Sequence, residues 1–565
     1  MLWLGLAAVS PAQDAAAAGQ KPLVTVSFAG YDQVMSVIQK VTRAAGQPEL
    51  AKIAEGMVAQ QAKGLPGLDK TRPWGLVVYA SDDGQFHVQA FVPVTDLKQL
   101  MSLLPMPMTP DAAGVYALPI NPAKTFYVAQ KGQWAFIVDS KGALNSVPAD
   151  PSALLGDLSK KYLMAVRSSP KNLPATAREK IVAQAKMANA MEQGPQPFES
   201  AEEAAIRTYA ANLTVDVFAT LAKDLDGATL GLGLDPSTGA AYLDCELVAQ
   251  PGTKTAQQFA ALQDTKTNFA GLQVPGAAVT AQAAGALDAA NVAKLKAVSA
   301  RVRATVLDDI EGNTDLDAAQ KQSAKQVLGD ALDVLDKTIE GRKIDAGLAV
   351  TLEAGATTAV GGLAVADGAK LDRVLRAIVA EAAKEQYQFA KAAKLDAARH
   401  EGVTFHVTTI PVPDPDAAKV FGEQLDIVVG TGGESLYVGA GKNALATLQQ
   451  VVDTSKREAG KAVPALQLVV TGGPYAKLIA QVAPPGEEQT KMAAGTVSQV
   501  LAASGGKDHA TLIVRSIPNG VSMRLSVEEG LLKSGLGFIP TGGGPGGPPG
   551  AKPAPPAGRP AGGNA

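Results

Sequence analysis

Five blocks of this 565-residue chain recur in the same order, and that recurrence restricts the fold more than any other feature. Gly75-Leu76-Val77-Val78 returns as Gly347-Leu348-Ala349-Val350. Val92-Pro93-Val94-Thr95-Asp96 returns as Leu363-Ala364-Val365-Ala366-Asp367. The stretch Phe136 to Leu144 returns as Tyr437 to Leu445, Leu163 to Pro170 as Gln467 to Pro474, and Ala228-Thr229-Leu230 as Ala510-Thr511-Leu512. The offsets are 272, 271, 301, 304 and 282 residues, so insertions differ between the copies while the order is kept. A single long repeat of this kind is the pattern of a tandem duplication. It divides the chain into a first unit at 21–275 and a second at 276–539.

Each unit carries the same run of signals. An opening strand (Leu23 to Phe28; Ala278 to Ala281) leads into helices, expected at Tyr31–Ala44 and Glu49–Ala62 in the first unit. In the second they are longer, Leu287–Asp309 and Asp315–Glu340. There Val292, Leu295, Val302, Val306 and Ile310 fall on one face at helical spacing. Thr314 followed by Asp317 reads as an N-terminal capping box. Hairpins follow around Asp82-Asp83-Gly84 and Ala354-Gly355. Next come a helix (Asp96–Leu104; Lys370–Lys394), a three-stranded meander, a further strand and a closing hairpin. Hairpins dominate and crossovers are few. That predicts an α+β fold, a mainly antiparallel sheet with helices packed on one face.

The ends read differently. Leu2 to Val9 is a short apolar run, followed by Ser10-Pro11-Ala12 with small residues placed for cleavage before Gln13. Residues 1–20 resemble the back half of a secretory signal peptide without its basic start, which predicts a secreted or periplasmic protein. Residues 540–565 hold nine glycines and eight prolines and no aromatic or large aliphatic residue, so a disordered tail is expected there. No other stretch is long and apolar enough to span a bilayer.

Composition works by exclusion. With 51 Lys+Arg against 54 Asp+Glu the net charge is −3, which gives no bulk attraction to nucleic acid or anionic membrane. The single Cys245 rules out an internal disulfide and a Cys-rich zinc site; unpaired in an oxidising compartment, it is expected to be buried. Aromatics at 5% leave few stacking platforms for sugars or single-stranded nucleic acid.

The motifs repay inspection mainly by failing. Gly430-Thr431-Gly432-Gly433 precedes a strand rather than a helix, so it reads as a hairpin turn using left-handed glycine, not a dinucleotide loop. Val438-Gly439-Ala440-Gly441-Lys442-Asn443 lacks the first glycine and the Ser/Thr of a phosphate loop. Like Asp139-Ser140-Lys141-Gly142, it reads as a strand-to-helix turn. His400 and His406 are six apart where a zinc hydrolase needs four, and on one extended strand they would lie about 20 Å apart. His87 and His509 show no partner pattern. The acidic stretch Asp308 to Asp317 does not fit a calcium loop and reads as a turn between two helices. The carboxylate pairs Asp82-Asp83, Glu202-Glu203 and Glu528-Glu529 fall in turns, helix starts or strand ends. Asp96 and Asp367, matched in both units, read as helix N-caps, and Lys141 matches Lys442. No nucleophile pattern is present.

The truncated signal, the duplicated Ala-rich α+β body and the Gly/Pro-rich tail together resemble uncharacterised secreted proteins of planctomycete-type bacteria. That resemblance implies an extracytoplasmic setting and no activity. The expectation is a non-catalytic protein with a structural or protein-interaction role, without catalytic, cofactor or metal residues. The alternatives are a carrier holding an apolar or lipid-like ligand between sheet and helices, and a hydrolase whose site is assembled from distant residues.

Overall fold

The computed structural model describes residues 21–536 other than 45–46, 62, 82–84, 105–106, 122–123, 193, 195–200 and 485. The signal-like segment 1–20, the turn 82–84 and the tail 540–565 lie outside the described residues. The strands of the first half are β1 (Pro22–Phe28), β2 (Trp74–Ala80), β3 (Phe86–Pro93), β4 (Tyr116–Asn121), β5 (Lys124–Lys131), β6 (Trp134–Val138), β7 (Met164–Ser168), β8 (Leu225–Leu234) and β9 (Ala241–Ala249). After β10 (Lys266–Thr267) come β11 (Val279–Ala286), β12 (Lys343–Thr351), β13 (Thr358–Ala364), β14 (Lys394–His400), β15 (Val403–Pro411), β16 (Gln424–Thr431) and β17 (Ser435–Ala440). The chain closes with β18 (Lys461–Ala462), β19 (Leu466–Thr471), β20 (His509–Ile517) and β21 (Gly520–Val527). β10 and β18 form a two-residue ribbon. The other nineteen make one antiparallel sheet, so the α+β class read from the hairpins is the class of the structure.

Both halves use one strand order. The first runs β4-β5-β6-β3-β2-β1-β7-β8-β9. The second runs β15-β16-β17-β13-β12-β11-β19-β20-β21, with β14 added outside β15. The two are joined by β9 pairing with β21. Gly75 and Gly347, Phe136 and Tyr437, and Ala228 and Ala510 stand at matching places in these registers. The block at Leu163 matches with a two-residue slip, Met164 standing where Leu466 does, which leaves each side chain on its original face.

The cores lie mainly on one face of the sheet. In the first half Val77, Phe91, Trp134, Phe136 and Leu155 cluster there, with Phe91 and Trp134 edge to face at 5.9 Å. In the second the cluster holds Phe269, Leu272, Val360, Phe405, Val428 and Leu448. Leu448 comes from the helix Ala444–Arg457, whose buried positions repeat at three- and four-residue steps. At the two outer ends of the sheet a helix covers the opposite face as well. Leu97, from the helix Leu97–Met101, packs on Tyr116 and Val128, and the helix Gly368–Lys384 reaches β15 and β16.

Several local expectations change. The helix expected at Lys370–Lys394 ends at Lys384, Gln386 takes φ 62°, a single helical turn Gln388–Lys391 follows, and β14 begins at Lys394. Helix propensity there yields to pairing with β15. The cap of the helix Ala318–Glu340 is Asp317, sharing a capping box with Gln320, not Thr314. Gly430, Gly432 and Gly433 are not left-handed. Gly430 is required because a Cβ would lie 2.5 Å from the buried Phe405 ring, while one at Gly432 would meet only the rotatable Ser435 hydroxyl closely, at 2.3 Å.

Near β7, the Asp157 carboxyl is held down at about 2, first by the Lys161 ammonium at 2.7 Å and then by Arg167 at 2.9 Å. Its unfolded value is about 3.9. A lowered folded pKa means that stability present above about pH 4 is lost as pH falls towards 2. Urea midpoints at pH 5 and pH 2.5 should therefore differ less in Asp157→Asn than in the native chain; an equal difference would place the acid sensitivity elsewhere.

Candidate binding surface

The middle of the sheet is built inside out. On β8 the sequence Leu230-Gly231-Leu232-Gly233 sends its leucines away from the core face, 49% and 47% exposed, and its glycines towards it. The glycines are needed because two tyrosine rings lie flat on that face. A Cβ at Gly231 would meet Tyr162 at 2.5 Å, and one at Gly233 would meet Tyr242 at 2.4 Å. The pattern repeats on β21, where Met523 and Leu525 are exposed and Arg524 turns to the core face.

Cross-strand register joins these residues into rows. In the first half Trp74, Phe28, Met164, Leu232 and Leu243 stand side by side on β2, β1, β7, β8 and β9. Leu243 faces Leu525 across the junction, and the row continues through Leu512, Leu468, Ala281 and Leu348 on β20, β19, β11 and β12. A second row, two residues along, runs Leu76, Val26, Val166, Leu230 and Cys245. It then crosses to Met523, Val514, Leu466, Ala283 and Ala346. Neither row contains a charged or hydrogen-bonding side chain other than the Trp74 indole and the Cys245 thiol. Ten strands at about 4.8 Å spacing make a face about 43 Å wide. The largest contiguous apolar patch on a typical monomer is a few hundred Å², and this face is continuous across ten strands.

Cys245 was expected to be buried. It is only half-buried, standing in the open second row, and it is a free thiol. Burial among apolar neighbours still pushes its pKa up, with a smaller push from Glu246, so it is a poor nucleophile at neutral pH. Phe28 and Trp74 stack at 4.1 Å near one end of the face.

Behind the face, at the junction of the halves, Arg524 grips Asp244 with Nε at 2.6 Å and Nη2 at 2.7 Å. Tyr162 donates its hydroxyl to the same carboxylate at 3.2 Å, and the guanidinium lies 4.3 Å from the Tyr242 ring centre. Asp244 and Arg524 are opposite each other in the register and hold equivalent places in the two strand orders. The local two-fold relation between the halves therefore passes through this ion pair.

The residues singled out from sequence scatter into structural roles. His406 does not share an extended strand with His400, because Glu401 and Gly402, at φ 49° and 82°, fold the chain into the β14–β15 hairpin. His406 bonds Asp372 at 2.7 Å and accepts from the Asp396 backbone amide; His400 bonds Asp453 at 2.6 Å. His87 lies 3.4 Å from Asp139, and His509 bonds Glu528 at 2.8 Å. Asp96 and Asp367 are N-caps as expected. Lys141 pairs with Asp111 at 2.6 Å. Glu529 pairs with Lys533 at 2.6 Å, and Glu202 and Glu203 lie on the helix Ala201–Asp224. Asp308 to Asp317 spans the turn between the helices Ala289–Gly312 and Ala318–Glu340. Gly441, at φ 126°, turns the chain from β17 into the helix Ala444–Arg457.

A cleft of about 690 Å³ beside the second core holds Glu401 and Lys456, joined at 2.7 Å, and Lys343, which lies 3.5 Å from the buried Asp345. Among the described residues no group of three or more His, Cys, Asp or Glu is placed to hold a metal, and no helix is long and apolar enough to cross a membrane. The alternation of apolar with small or polar residues in 228–234 and 521–527 groups these side chains on one face of each strand. No protein-family profile, curated protein or solved structure matches the chain.

Proposed function

We propose that this chain is a non-catalytic, extracytoplasmic protein that works by contact, and that its working surface is the open apolar face of the sheet. The observation that carries the reading is the pair of uncharged rows running across ten strands with leucines of both halves exposed to solvent. Exposing that much apolar area costs about 25 cal/mol for each Å² left in water, so a partner that covers it is strongly favoured. The equal strand order of the halves and the order of the sequence blocks support their origin as two copies of one unit, which would have doubled the face.

The test uses nanomolar protein and an apolar fluorescent dye. The native chain should bind dye, and Leu525→Glu should lose most of that binding with its urea midpoint unchanged. A native chain that binds no dye, or a purified chain that turns over a substrate in a broad hydrolase screen, would overturn the reading.

A second reading, a carrier for an apolar or lipid-like ligand, draws on the helices that rise from the strand ends. They expose apolar side chains of their own, among them Val298 and Val302, Val217 and Phe218, and Ile479. Native mass spectrometry showing no co-purified lipid, with no uptake of a fluorescent fatty acid, would remove it.

A further inference from the structure

We infer that the occupant of the open face is a second copy of this chain, stacked sheet on sheet with the first half of one copy over the second half of the other. The inference rests on the proposal that the face is the working surface and names its partner.

Three observations carry it. The first is area. On the eight central strands, β1 and β7 to β9 with β19 to β21 and β11, the two rows are flanked by Val279, Val470, Ala510 and Val527 on one side and by Val24, Ser168, Ala228 and Leu247 on the other, so four rows make a patch of about 34 Å by 20 Å, or about 700 Å² per copy. Two such patches bury about 1,400 Å², within the range of stable, specific interfaces. The second is the chemistry in register. A two-fold axis parallel to the strands and above the β9–β21 junction lays each row over itself, so Phe28 of one copy stands over Ala281 of the other and Trp74 over Leu348. Met164, Leu232 and Leu243 then stand over Leu468, Leu512 and Leu525. The contact along that row is apolar on both sides, as the interior between two stacked sheets requires. The third is that the other route to association is blocked. Edge strand β4 carries Pro119 and an irregular register at its end. Edge strand β14 carries Lys394, Asp396 and Arg399 and a register shift between Lys394 and Ala398. Charges, proline and bulges on edges prevent strand addition, which leaves the face. A net charge of −3 per chain offers little repulsion between copies.

Cys245 supplies a native reporter. It stands beside the junction, so the stacked arrangement puts the Cys245 residues of two copies about 11 Å apart across a sheet spacing of about 10 Å. The experiment is sedimentation velocity of the full chain from nanomolar to tens of micromolar, with crosslinking by a bis-maleimide of matching span at about pH 8.5, which raises the thiolate fraction of Cys245. The expected result is a concentration-dependent shift from 57.7 kDa to twice that mass. Dye fluorescence per chain should fall over the same range, and a covalent dimer should form that is lost in Cys245→Ser. Leu243→Glu and Leu525→Glu should each weaken association about a hundredfold, because each leaves a charge unpaired in an apolar contact. A chain that stays monomeric and uncrosslinked yet binds dye overturns the dimer and leaves the proposed working surface standing. A monomer that carries lipid in native mass spectrometry overturns it in favour of the carrier. A monomer that binds no dye overturns both.

Discussion

Replacing Arg524 with alanine is expected to destabilise the protein by about 2–4 kcal/mol, read as a lower urea midpoint. The cause is the carboxylate left behind. The Asp244 side chain is only 6% exposed and takes both its close cationic bonds from Arg524, at 2.6 and 2.7 Å. Removing the guanidinium strands that charge with a single Tyr162 hydroxyl at 3.2 Å. The loss stays below the 3–5 kcal/mol of a fully buried pair because about half of the Arg524 side chain faces water. Replacing both partners by leucine removes the stranded charge and should recover most of the loss. A double variant as unstable as Arg524→Ala alone would show that the pair is held for some reason other than mutual neutralisation. The effect concerns the joint between the halves, because the pair bridges the one strand pairing, β9 with β21, that joins the two strand orders.

The hairpins were legible in the sequence because each combined alternation with a turn signal, and the repeated blocks placed them in matching order. Which face of the central strands meets solvent was not legible. Alternation shows that Leu230 and Leu232 share a face; the ordinary assumption then turns that face inward. The structure reverses it, because Gly231 and Gly233 leave room for Tyr162 and Tyr242 on the other side. That contact joins residues 69 and 9 positions apart and has no local signature. The junction pair was hidden for the same reason. Asp244 and Arg524 lie 280 residues apart, and neither sits in a motif. β14 was missed because its partner β15, and not its own Ala-rich composition, makes it a strand.

The largest core effect is expected at Phe405. Its ring is fully buried on β15, among the side chains of the second core, and truncation to alanine should cost about 3–5 kcal/mol from lost burial and the cavity left behind. The ring lies over Gly430, its partner on β16, where an added Cβ would stand 2.5 Å from it. Gly430→Ala alone should therefore cost about 1–3 kcal/mol by overpacking. Joined to Phe405→Ala, the same methyl has no ring to strike and fills part of the void. The double variant should then be more stable than the sum of the single losses implies, by about 1 kcal/mol or more. Urea unfolding of the four proteins gives that coupling directly. Additive losses would mean that the glycine is required by its backbone and not by the ring. A φ outside the left-handed region makes that outcome unexpected, since no backbone conformation at Gly430 forbids a side chain.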